Sequence, residues 1–326
     1  MPNRVYVKSS DSKIWDVEVA TAEIVHTLAK YGNVIIDLQC EAPDIATTEL
    51  KNVLDYLSTQ GVAYDQIEIH TGNIIESYDK FKVVKHNKWM YELLLFQELA
   101  KSISKEKQIL KHFGCFIGRS NITRLIMASH LFANYNDKTL LTYHYLPGDD
   151  FHRTHLGLEN IIYYFGINSV EYREAIRLLD CGPILIGEKK CYPITNEDGI
   201  IEPCTWYKDI FVDVVCETFS NGNVFFITEK FWRPVATKTP FIIQGPQFVI
   251  KRLKQLGFKT FDRWWSEGYD EDPYLYSQNE IKKILADLSA LSISDLETIY
   301  DEMQPILEHN YNLMMSLQFE DFNIVE

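Results

Sequence analysis

Three short stretches of this 326-residue sequence bring together residue types that could do chemistry. In FITEKFWRP, Thr228, Glu229 and Lys230 stand directly after an apolar run. A threonine there can cap a helix, and the N–H groups of a first helical turn favour phosphate in front of them. Glu229 could then hold a ribose or sugar diol, and Lys230 could meet phosphate charge. The same residues also fit an ordinary cap, with Glu229 complementing the helix dipole and Lys230 in solvent. In FGCFIGRSNITRL, Gly118, Arg119 and Ser120 follow an apolar run, and Arg124 falls near the first turn of the next helix. A cation there opposes the helix dipole unless an anion lies between them, so either an anion site or a pair of surface arginines fits. In IEIHTGNIIE, the turn Thr71–Gly72–Asn73 lies close to His70 and Glu76. An imidazole or carboxylate there could act as general base towards a hydroxyl, although Gly72 and Asn73 are also common turn formers.

Other patterns carry less. His152 and His155 are three apart, but no third ligand is spaced to complete a metal site. Asp149/Asp150 and Asp270/Glu271/Asp272 fit solvated loops better than cation sites. No metal is predicted. Trp264 and Trp265 suit the core or a stacked sugar, with packing expected for at least one of them.

The elements that must position these residues follow a βα rhythm. RVYVKS, a helix near 18–30, NVIIDLQ, a helix near 45–60, QIEIHTG and FKVVKH imply βαβ units and a largely parallel sheet. The lysine-rich AKSISKEKQILKH, residues 100–112, reads as a linker or an exposed helix end. The rhythm then restarts with FGCFIG, a helix over about 121–133, TLLTYHY, helices to about 180, FVDVVCETF, a helix from 228, PFIIQG, a helix from about 247, and KTF. From about 279 the pattern is helical and interrupted at Pro305, and Pro234 predicts a kink or irregular turn. Two α/β units of this kind suggest two doubly wound domains facing a cleft, divided here into 1–108 and 109–326.

Bulk properties narrow the class. Hydrophobic residues make up 46% of the chain, enough for large cores, and the net charge of −14 disfavours a protein that tracks nucleic-acid phosphates. The six cysteines sit singly without C-x-x-C spacing and read as reduced, mostly buried thiols. The amino terminus lacks a signal-peptide pattern and no stretch is long and apolar enough to span a bilayer, so a cytoplasmic protein is expected. A Rossmann dehydrogenase would want G-x-G-x-x-G after the first strand, and RVYVKSSDSKIWD has none.

The block VDVVCETFSNGNVFFITEKFWRPVATKTPFIIQG resembles the donor site of the alpha-1,3-fucosyltransferase family, through Cys216 and Glu217, through Thr228, Glu229 and Lys230, and through Pro240 and Gly245. FGCFIGRSNITRL is similar to that family's segment ahead of a donor-site arginine, here Arg124, and HTGN resembles its acceptor-domain turn. GFKTFDRWWSEGYDEDP is similar to glycosyltransferase-like proteins of bacteriophages and large viruses. The resemblance implies two Rossmann-like domains of the GT-B type and an inverting, metal-independent transfer of a sugar from a nucleoside-diphosphate sugar to an acceptor hydroxyl. The sugar could be fucose, and no cofactor is implied beyond the donor. Arg119, Ser120, Arg124, Glu217, Phe226, Thr228, Glu229 and Lys230 would bind that donor. The family's catalytic glutamate falls at Asn73, an amide that cannot act as a base, so Glu76 is the nearest substitute, with Asp37 and His70 as alternatives. The acceptor would be a glycan or another hydroxyl-bearing molecule, with nucleic acid disfavoured by charge. A non-catalytic nucleotide-sugar or glycan-binding protein is the alternative, because Asn73 stands where a base is needed.

Overall fold

The computed structural model describes residues 3–318 except 8, 11–12, 15–16, 39–43, 75, 87–88, 104–105, 119, 145–148, 187–203 and 273–274. It is an α/β protein with two four-stranded parallel sheets. The first sheet holds β1 (Arg4–Tyr6), β4 (Val34–Leu38), β5 (Ile67–Thr71) and β6 (Lys82–Lys85) in that order, and β2 (Ser9–Ser10) and β3 (Lys13–Ile14) pair apart from it. Its helices bury one stripe each. In α1 (Val17–Tyr31) the stripe is Ala20, Ile24 and Thr27, and in α2 (Leu50–Thr59) it is Leu50, Leu54 and Leu57, the i, i+4, i+7 spacing of a single helical face. Among the described residues, chain order in this sheet never reverses, so they show no switch of the kind that two doubly wound domains would imply.

The second sheet does reverse. It is built from β7 (Lys111–Ile117), β8 (Thr139–Tyr143), β9 (Ile210–Cys216) and β10 (Phe241–Gln244), in the spatial order β10-β9-β7-β8. All seven residues of β9 are buried, as a central parallel strand covered on both faces requires. The switch lies between β7 and β9, and in open parallel sheets the crevice beyond the strand ends at such a point is where ligands bind. β7 leads into α4 (Ile122–Tyr135), and β9 leads through residues 217–228 into α7 (Glu229–Ala236). Helices α5 (Asp149–Phe165) and α6 (Val170–Asp180) fall between these two crossovers.

Several elements differ from expectation. Helix α3 (Trp89–Ser102), which the βα rhythm did not reveal, packs through Leu93, Phe96 and Ala100 into the second core, although it precedes the proposed boundary at 108. KTF is not a strand. Beyond α8 (Val249–Gln255), the Asn310 amide accepts from Lys259 N–H at 2.8 Å and donates to Lys259 C=O at 2.8 Å, doing the work of a neighbouring strand. After α9 (Ser277–Ser289), α10 runs unbroken through Pro305 from Ile293 to Ser316, opened by a Ser292–Asp295 capping box. Pro234 lies within α7, which stops two residues later. Asp270 is a buried cap rather than a solvated loop residue: it accepts from the N–H groups of Ile250 and Lys251 at 2.8 and 2.9 Å. Trp265 is buried beside Phe261, as packing predicts. Of the four described cysteines, Cys115, Cys204 and Cys216 are buried and only Cys181 is exposed. Among the described residues, no helix is long and apolar enough to cross a membrane.

Candidate functional site

The switch point gathers residues that are far apart in sequence. Thr228 caps α7, its hydroxyl accepting from Lys230 N–H at 3.3 Å while donating to Glu217 Oε2 at 2.7 Å. Glu217 follows the last residue of β9, so one hydroxyl ties the strand end to the helix start. Lys230 Nζ folds back onto Glu229 Oε1 at 2.7 Å and onto the hydroxyls of Thr228 at 3.1 Å and Thr218 at 3.4 Å. From across the switch, Arg124 on α4 donates through Nε to Cys216 C=O at 3.2 Å and through Nη2 to Thr218 Oγ1 at 3.1 Å. Its helix start is fixed by Asn121, whose side chain accepts from Arg124 N–H at 2.9 Å. The cap reading of Thr228 is therefore correct, but the solvated Lys230 of that reading is not. The Lys230 and Glu229 side chains are only 14% and 13% exposed.

Electrostatics separate the three acids gathered here. Burial pushes the Glu229 carboxyl up, but Lys230, Arg233 and Arg124 outweigh it and hold the group at about 2. Burial raises Glu217, opposed by Lys230 and the Thr228 hydroxyl. The third acid, Glu92, comes from α3, which packs on α7. Burial and the neighbouring charge of Glu229 raise it to about 8. Its Oε2 is buried and has no hydrogen-bond partner among the described residues. Arg233, four residues after Glu229 and one turn along α7, is also buried, and its Nε has no hydrogen-bond partner among the described residues. Behind it lies a second charged group, in which Tyr207 donates to Asp213 Oδ2 at 2.6 Å and Lys107 donates to Tyr207 C=O at 2.7 Å and Thr239 Oγ1 at 2.8 Å. Burial drives Asp213 up to about 7 and Lys107 down to about 7.

Not every expected residue joins the cluster. Arg119 lies outside the described residues, as do the side chains of His152, Asp149 and Asp150. Ser120 is buried, with its hydroxyl 2.5 Å from Tyr143 Oη at the end of β8. Phe226 is half-buried in an edge-on contact with Phe219, ring centroids 6.1 Å apart. Asn73 is fully buried and bridges the two halves: Nδ2 donates to Asn223 C=O at 2.9 Å and Oδ1 accepts from Phe225 N–H at 3.0 Å. Glu76 accepts from Ile45 N–H at 3.0 Å on one oxygen and from Ser77 N–H at 3.1 Å on the other, and burial followed by Asp44 raises it. Both groups expected at the catalytic position therefore bond backbone. Asp37 is paired with Arg4 at 2.8 Å. His70 sits between Glu68 (Nε2 to Oε1, 2.5 Å) and His86 (Nδ1 to Nε2, 2.8 Å).

Glu92 and Arg233 escaped the sequence reading. Arg233 had a usable signal in its i, i+4 spacing from Glu229; Glu92 had only its place as a single acid in the apolar run WMYELLLF. Among the described residues, no group of three His, Cys, Asp or Glu side chains is placed to hold a metal ion. No family model, curated protein sequence or solved structure matches the chain.

Proposed function

We propose that the chain is a glycosyltransferase of the GT-B type that uses a nucleoside-diphosphate sugar, with the donor held at the switch between β7 and β9. One observation carries this reading: Arg124 and Lys230 meet on Thr218 at the strand ends, beside the first turn of α7. A buried ion cluster is a poor device for stability, because desolvating each charge costs several kcal/mol that pairing rarely exceeds. At a ligand crevice the same cluster has a use. Cations fixed there in advance stabilise the negative charge that grows on a departing diphosphate, without metal. Glu229 would hold ribose or sugar hydroxyls, and Glu217 would set the position of Thr228.

With Asn73 and Glu76 committed to backbone, the proton of the acceptor hydroxyl falls to His86. The Glu68 carboxylate only accepts, so His70 donates to it from Nε2 and turns its Nδ1 to His86 Nε2. That contact engages His86 Nε2 and leaves Nδ1 as the ring nitrogen that would face an acceptor hydroxyl. Burial, followed by His70, lowers the pKa of His86, so it is neutral and able to take a proton near pH 7.

The second reading is a nucleotide-sugar-binding protein without turnover, favoured by the absence of a free carboxylate at Asn73. The two are separated by titrating wild type and Lys230→Ala with GDP, UDP, ADP, CMP and their common sugars, and by following donor hydrolysis and transfer to mixed glycan acceptors. Selective binding of one nucleotide, lost in Lys230→Ala, supports the site; release of free nucleotide from its sugar conjugate supports the enzyme. Binding of no nucleotide refutes both.

A further inference from the structure

Glu92 Oε2 is the one buried carboxylate oxygen without a partner among the described residues, and it lies in the cluster at the start of α7. Buried polar atoms are nearly always hydrogen-bonded, so an orphan in a crevice marks a place for an absent donor or acceptor. The Glu92 carboxyl accepts from the Glu229 backbone N–H at the start of α7, and its Oε2 is left without a partner among the described residues. Lys230 instead directs its ammonium at Glu229, Thr228 and Thr218. A phosphate oxygen fits the position poorly, because it would stand beside the Glu229 carboxylate, whose charge already raises Glu92. A hydroxyl suits the position, since it can donate to a carboxylate and both donate to and accept from a carboxyl.

We propose that Glu92 is a substrate-binding residue whose buried Oε2 bonds a hydroxyl of the sugar that the nucleotide carries. This rests on the nucleotide-sugar reading above and adds to it the part of the donor that α3 recognises. The diphosphate lies with Arg124 and Lys230, and the sugar lies towards α3. The raised pKa of Glu92 keeps the group un-ionised near neutrality, so glutamine is its close mimic there.

The test is calorimetric titration of the full chain at pH 7 with GDP and UDP and with GDP-fucose, GDP-mannose, UDP-glucose and UDP-galactose, for wild type, Glu92→Ala and Glu92→Gln. Wild type should bind one sugar conjugate more tightly than its bare diphosphate. Glu92→Ala should lose that excess by about tenfold or more, as expected for a site left with an unpaired sugar hydroxyl, while its affinity for the bare diphosphate stays within about threefold. Glu92→Gln should recover most of the excess at pH 7. At pH 9 the excess should change in wild type and stay constant in Glu92→Gln. The inference is overturned if Glu92→Ala keeps the sugar excess, if wild type shows none, or if both variants lose the bare diphosphate equally, which would make Glu92 structural. Failure of wild type to bind any nucleotide removes the donor-site reading itself, and this inference with it.

Discussion

Replacing Asn73 distinguishes a catalytic position from a structural one. Its amide makes two bonds across the halves, to Asn223 C=O at 2.9 Å and from Phe225 N–H at 3.0 Å, and it is fully buried. Asp44 supports the same loop by accepting from Asn223 N–H at 2.8 Å. Asn73→Ala removes both amide bonds and strands a buried N–H and C=O. At about 1 kcal/mol per bond, with the larger cost of an orphaned buried group, the expected loss is about 2–4 kcal/mol. Asn73→Asp keeps an acceptor for Phe225 but sets a carboxylate against the Asn223 carbonyl, so near neutral pH it should cost at least as much. That loss should shrink in acid, where the new carboxyl can donate again. Urea denaturation followed by circular dichroism at pH 5 and pH 8 measures both effects, and donor titration in the same buffers reports the site. Structural bridging predicts large stability losses and no gain in turnover for Asn73→Asp. If Asn73→Asp keeps wild-type stability and transfers sugar faster, the residue stands at the catalytic position and its bridging role is refuted.

Three further outcomes are expected. Gly222 has φ +81°, and a Cβ there would lie 2.8 Å from Asp44 Cβ, so Gly222→Ala should cost about 1–3 kcal/mol in a urea melt from crowding and add non-additively to Asn73→Ala. His86→Asn should leave donor affinity unchanged in a titration and lower turnover by about 10²–10⁴-fold; unchanged turnover would remove it as the base. Lys107 has a folded pKa, about 7, below its unfolded value, so the unfolded chain holds more protons above pH 7 and stability should rise with pH from about 7 towards the unfolded value. Lys107→Met should flatten that rise in urea melts between pH 7 and 9.5.

What the sequence reveals of the site depends on how local each contact is. Thr228, Glu229 and Lys230 are consecutive, and the helix they begin follows from capping chemistry that can be read in one dimension. Arg124 is also legible, because a cation in a first helical turn demands an explanation, and the fold supplies one in Cys216 and Thr218. Glu92 is not legible. Its helix ends in the lysine-rich stretch and reaches the cluster only because α3 packs on α7, a contact between segments more than a hundred residues apart. Asn73 misleads for a related reason: Gly72 and Asn73 are good turn formers, but the amide serves residues 223–225, and no local pattern records a bond over 150 positions. KTF fails because a single side chain, Asn310, takes the place of a neighbouring strand.

The charge balance of the cluster bears on which anion it suits. Three cations, Arg124, Lys230 and Arg233, face three acids, and the acids are not equivalent. Glu229 is held ionised, Glu217 is raised by burial, and Glu92 keeps its proton near neutrality. With Glu92 neutral the three cations face at most two ionised acids of this set, and Arg233 also faces Asp213. The chain around the cluster has a formal charge of −14. A long polyanion such as nucleic acid would need a basic face extending well beyond the crevice, and the overall field opposes its approach. On the proposed reading, a compact diphosphate would need only the cations of the cluster. On the same reading its sugar and ribose hydroxyls would use the acids that a phosphate cannot.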